Sequence, residues 1–116
     1  MKIKRMAGIA GWVMAAILAG WTGALIGADV DISAAEGLAK KSGCMGCHSV
    51  TQKKMGPSFK SVAEKYKGKA DAEAALVKHV TTNPKIKVDG KEEEHDSLKT
   101  KNDAEARNVV KWILSR

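Results

Sequence analysis

Aromatic residues are scarce in this 116-residue chain, which holds three Trp, one Tyr and one Phe. Trp12 and Trp21 fall in an apolar N-terminal stretch, so the 88 residues beyond position 28 keep only Phe59, Tyr66 and Trp112. Aromatics supply the largest buried surfaces of a small core. A domain of this size buries a modest fraction of its surface and commonly leans on a disulfide, a metal or a cofactor. Cysteine is just as sparse: Cys44 and Cys47 are the only two, too few for a disulfide scaffold. Length and composition disfavour a multidomain enzyme or a large sheet protein, and they pose the question of what fills the interior.

Charge is absent from Met6 to Ala28, a run of 23 residues rich in Ala, Gly, Ile, Leu and Val that follows Lys2, Lys4 and Arg5 and ends at Asp29. A basic start followed by an apolar run is an export signal, and this run is also long enough to span a bilayer. Residues 1–28 therefore read as a signal peptide cleaved after Ala28 or as a retained N-terminal hydrophobic helix, with 6–28 as membrane anchor. Either way residues 29–116 form the exported domain, in a bacterium the periplasmic one, and the basic end stays in the cytoplasm. The formal net charge of +7 falls to +4 without the leader, 17 basic residues standing against 13 acidic ones. The lysines are dispersed and only two arginines follow the leader, so nucleic acid is not the expected partner. A moderately basic surface suits steering toward an acidic one.

Periodicity beyond the leader is helical. Ser33-Ala-Ala-Glu36 has capping-box spacing and predicts a helix to about Lys41. Phe59, Val62, Ala63 and Tyr66 form one apolar face of a helix closed by Gly68. Asp71 is placed to cap a third helix with Ala75, Leu76 and Val80 inward, stopped at Asn83-Pro84. Asn102-Asp-Ala-Glu105 is a second capping box, opening a last helix with Ala106, Val109, Val110 and Ile113 on one face and Trp112 flanking it. No segment alternates as a strand does, so the expected class is all-α. The 19 residues from Asn83 to Lys101 are polar and carry no period; a loop of that length in a compact domain needs a task.

Cys44-Met45-Gly46-Cys47-His48 has the C-x-x-C-H spacing of c-type haem attachment. Two thiols three positions apart can each add to one vinyl group of the porphyrin, and the imidazole of the next residue then lies at the iron. Attachment takes place outside the cytoplasm, in keeping with the leader. A thioredoxin-like pair calls for a βαβ pattern that is missing. A zinc site needs further ligands, and only His79 and His95 remain.

From about Ser33 to Arg116 the sequence resembles a small bacterial class I c-type cytochrome with one haem. The likeness is carried by the helix ahead of Cys44–His48, by Met55-Gly-Pro-Ser-Phe59 leading into Val62-Ala-Glu-Lys-Tyr66, and by the ending from Asp103 to Ser115. The resemblance implies an all-α fold in which the first and last helices cross beside one haem c, covalently held through Cys44 and Cys47. It also implies that the Pro57 carbonyl accepts a hydrogen bond from the proximal His48, strengthening it as a donor; Gly56-Pro57 read alone is a simple turn, and the two are compatible.

One family feature is missing. The usual sixth ligand is a Met ahead of the last helix, and no Met follows Met55. Met1, Met6 and Met14 belong to the leader, Met45 lies inside the attachment loop, and Met55 precedes the proximal Gly-Pro. His95, 17 residues before Trp112 and close to the place of that Met, is the candidate in its stead, giving bis-histidine ligation by His48 and His95. Its alternatives are a surface role among Glu92, Glu93, Glu94 and Asp96, an open iron site, or a Lys ligand. His79 is the second histidine candidate, with a place near a haem propionate the expected role. Imidazole in place of thioether lowers the reduction potential, and the glutamate run would lower it further if close. The expected function is a one-electron carrier in an exported respiratory or related redox chain, with redox proteins as partners and no catalytic residues. The alternative is a gas-binding or sensing protein, or a small peroxidase, with a displaceable distal ligand.

Overall fold

The computed structural model describes residues 29–116; the apolar stretch, and its reading as signal or anchor, lie outside the described residues. Five helices and one hairpin follow in the order α1 (Ile32–Lys41), α2 (Cys44–Cys47), α3 (Phe59–Tyr66), α4 (Ala72–Thr81), β1 (Lys85–Val88), β2 (Lys91–Glu94) and α5 (Asp103–Leu114). Among the described residues no helix is long and apolar enough to cross a membrane.

The start of α1 corrects the expected capping box. Asp31, not Ser33, is the cap: its side chain accepts from the Ala34 N–H at 3.0 Å, and Ser33 lies inside the helix. The Asp31 N–H also donates to Asn108 Oδ1 (2.9 Å), and Asn108 Nδ2 donates to the Asp31 carbonyl (2.8 Å). This pair pins the first turn of α1 to α5. Ala35 and Ala39 are fully buried, and their small side chains let α1 lie close against Ala106, Val109 and Val110 of α5.

Helices α3 and α4 also pack on α5. Ser58 caps α3 by accepting from the Ser61 N–H, and Phe59 and Ala63 are buried. Asp71 precedes α4 but makes no capping hydrogen bond; Ala72, Leu76 and Val80 face inward, and Ala75 is only half-buried. Asn102 caps α5 through the Ala104 and Glu105 N–H groups. The return half of that box runs through Thr100, whose hydroxyl bonds the Glu105 carboxylate and accepts from the Asn102 N–H. Trp112 does not flank the apolar face; it is 2% exposed, with its ring edge on Phe59 at 5.3 Å between centroids.

The segment after α4 departs from the expectation of an unpatterned loop. β1 and β2 pair antiparallel, Lys85 opposite Glu94 and Lys87 opposite Glu92. Asp89 (φ 49°) and Gly90 (φ 79°) form the two-residue turn, both with the positive φ that matches strand twist in such hairpins. The helices still carry the core, so the all-α class stands with a hairpin added. The His95 N–H donates to the Pro84 carbonyl at 2.8 Å, extending the ladder one step beyond the strands. His95 therefore shares a hairpin face with Pro84, Ile86 and Val88. Beyond it, the Leu98 N–H reaches the Val80 carbonyl and the Lys99 N–H reaches the buried Ser42 hydroxyl, each at 2.8 Å.

Candidate functional site

Gly43, at φ 81°, ends the reach of α1 and opens the single turn α2. One helical turn sets residues three apart on the same side, so Cys44 and Cys47 share one side of the turn, and they are not bonded to each other. His48 leaves the turn in extended conformation, with its N–H on the Cys44 carbonyl at 2.9 Å. Burial raises the pKa of the Cys44 thiol against a backbone hydrogen bond that lowers it, and Asp96 and Cys47 add to the rise.

The orientation of His48 is fixed from three sides. Its Nδ1 stands 2.7 Å from the Pro57 carbonyl. A carbonyl only accepts, so Nδ1 carries the proton, and in the neutral ring Nε2 keeps a free lone pair. Phe59 stacks on the ring at 5.4 Å and 23°. Gly56 lies against its edge: a Cβ there would fall 2.7 Å from His48 Nδ1 and closer still to Cε1, so any side chain would drive the imidazole off the Pro57 carbonyl. The Gly56 N–H is held on the Cys47 carbonyl at 2.8 Å.

The structure brings the three histidines together. His48 and His95 have ring centroids 6.0 Å apart with planes at 49°, and His79, from α4, lies 4.4 Å from His95. Burial lowers the pKa of both His79 and His95, and the charge of neighbouring imidazoles adds to the effect; at His95 the backbone and carboxylate of Asp96 oppose it. The neutral forms, with a lone pair to donate, are thereby favoured. The glutamates of β2 are exposed, and Glu92 pairs with Lys85 at 3.0 Å. Such exposed charge is screened by solvent, which discounts the run as a tuning field.

Among the described residues two buried polar side-chain atoms find no partner, His95 Nδ1 and Trp112 Nε1. Buried polar groups without partners are rare, and both lie in the aromatic cluster formed with His48 and Phe59. Among the described residues no three of His, Cys, Asp and Glu gather to hold a bare metal ion. A metal at this place would have to bring ligands of its own, as a macrocycle does. The thiol pair, the oriented lone pair of His48 and the facing imidazole fit such a group. Sequence reading placed Gly56 in a turn and Asn83 at a helix end but missed the close approach of Gly56 to the His48 ring, and it missed the bonds of Asn83 and Ser97 at the base of the hairpin. The visible signal for the hairpin was Asp89-Gly90 between Val88 and Lys91.

Comparison with known proteins adds three findings. Residues 32–116 match the family model described as cytochrome c. Cytochrome c-552 of Hydrogenobacter thermophilus is 41% identical over 83 residues, covering 69% of this chain and 79% of that protein; cytochrome c-551 of Pseudomonas aeruginosa is 35% identical over 95, covering 82% and 88%. Among solved structures, the class 1 cytochrome MtoD of Sideroxydans lithotrophicus ES-1 superposes with a TM-score of 0.72 at 52% identity, over 75% of this chain and 97% of that one.

Proposed function

The chain belongs to the class I cytochromes c, small electron carriers with one covalent haem c and not enzymes, and from that premise we propose that His48 and His95 bind the haem iron from opposite faces while Cys44 and Cys47 hold the macrocycle. The observation that carries the ligand pair is the 6.0 Å between the two ring centroids. An imidazole nitrogen sits about 2 Å from a transition-metal ion, with the ring centre about 1 Å behind it, so two imidazoles sharing one ion stand about 6 Å apart. His79 and His95, at 4.4 Å, are too close to face each other across an ion. His79 is instead a neighbour of His95, on the side of the propionate role.

Bound haem supplies a reversible one-electron iron(III)/iron(II) couple. The chain's own part is to hold both ligands still and keep water out. Pro57 fixes the His48 tautomer, Phe59 and Gly56 fix its plane, and the hairpin carries His95. Imidazole in place of thioether makes this a low-potential carrier within its family. The export reading is proposed with it: residues 1–28 deliver residues 29–116 to the periplasm by a cleaved signal or a retained anchor. The electron passes to redox proteins whose acidic surfaces complement a domain of net charge +4, in an exported respiratory or related redox chain.

With both axial positions filled, the ferrous protein is expected to titrate as a single one-electron wave and to leave carbon monoxide unbound over minutes. Spectroelectrochemical titration followed by carbon monoxide mixing reads both. Ready formation of a carbon monoxide complex would overturn the carrier reading in favour of gas binding or peroxidase chemistry.

A further inference from the structure

The hairpin that carries His95 packs chiefly on itself, whereas the helices pack on one another through α5. A two-stranded hairpin is marginal alone, so the position of His95 has to be set at the hairpin's base. That base is closed by one residue. Asn83 follows the last turn of α4 in the left-handed conformation, φ 49°, which Asn tolerates better than most residues. Its Nδ2 donates to the His95 carbonyl at 3.0 Å, its Oδ1 accepts from the Ser97 hydroxyl at 2.8 Å, and its N–H donates to the same hydroxyl oxygen at 3.2 Å. With the His95 N–H on the Pro84 carbonyl, both backbone polar groups of His95 are tied to the chain that leaves α4.

We propose that Asn83 and Ser97 form a clasp that positions His95 and sets how readily it leaves the iron. The clasp rests on the reading of His95 as distal ligand. Asn83 and Ser97 are positioning residues: their side chains act through the His95 carbonyl and not through its imidazole. The bonds are solvent-exposed, so loosening them is expected to speed ligand exchange without unfolding the domain.

The test uses the haem-loaded ferric protein and measures the rate at which added cyanide replaces the distal ligand. Asn83→Gly separates the clasp from a merely steric backbone role, because glycine adopts positive φ without steric cost but makes neither side-chain bond. A conformational role predicts an unchanged rate; the clasp predicts exchange about fivefold faster, of the order expected for losing a net hydrogen bond. Asn83→Asp keeps an acceptor for Ser97 and loses the donor to His95, so it should fall between the two, and Ser97→Ala should also exchange faster than the parent. Resting spectra should stay low-spin in all of them. A parent lacking a bis-imidazole spectrum would overturn the ligand reading and the clasp with it. A parent with that spectrum, and Asn83→Gly exchanging at the parent's rate, would overturn the clasp alone.

Discussion

Replacing Cys44 and Cys47 with serine and removing the haem is expected to leave residues 29–116 without a fixed tertiary structure. The helices have 10, 4, 8, 10 and 12 residues, and isolated helices shorter than about 12–15 residues are marginal in water. They must draw stability from packing, yet among the described residues most of the fully buried positions are small, Ala35, Ala39, Val109 and Val110, with Trp112 the large exception. Phe59 and Trp112 meet edge to face and then reach His48, so the aromatic wall ends on the residue proposed to touch the cofactor. Taking the cofactor away deprives that wall of the apolar surface it would pack on, and those contacts are lost outright. Loss of near-ultraviolet circular dichroism and of a cooperative thermal transition is the expected outcome. A cooperative transition in the haem-free variant would mean that the helices suffice by themselves.

His95→Met should raise the reduction potential by on the order of 0.2 V, a fraction of the roughly 0.8 V that axial ligation spans. Thioether sulfur stabilises the reduced iron relative to imidazole, so the sign is upward. The substitution also restores the ligand type of the family at the place where this chain lacks it. The surrounding charges are the same in both proteins, so the difference isolates the ligand. Equilibrium redox titration of parent and variant measures it, and the methionine–iron charge-transfer band of the ferric variant reports whether the new side chain has bound. A variant that shows the band at an unchanged potential would sever the link between ligand and potential.

Much of this architecture was legible from residue spacing. The apolar faces of α3 and α5 have the 3.6-residue period that burial imposes, and Asn102 caps α5 as its spacing to Glu105 predicts. Cys44–His48 is legible because the chemistry demands adjacent residues. What spacing hid depends on contacts between distant segments. Asp31 outcompetes Ser33 as cap because Asn108, 77 positions away, holds its backbone. The hairpin was hidden because Glu92, Glu93 and Glu94 are all exposed and show no alternation, although β1 alternates and Asp89-Gly90 marks the turn. Gly56 gives no sign of its role until the His48 ring is seen against it. The clasp at Asn83 needed a register, since only the pairing of Pro84 with His95 brings Asn83 beside Ser97.

The central claim is that His48 and His95 hold one iron between them, and the chain contains three histidines. His79→Ala removes the third, so any two imidazoles on the iron must then be His48 and His95. The electron paramagnetic resonance spectrum of the ferric His79→Ala protein should be low-spin with the signature of two imidazoles; a high-spin spectrum would contradict the account.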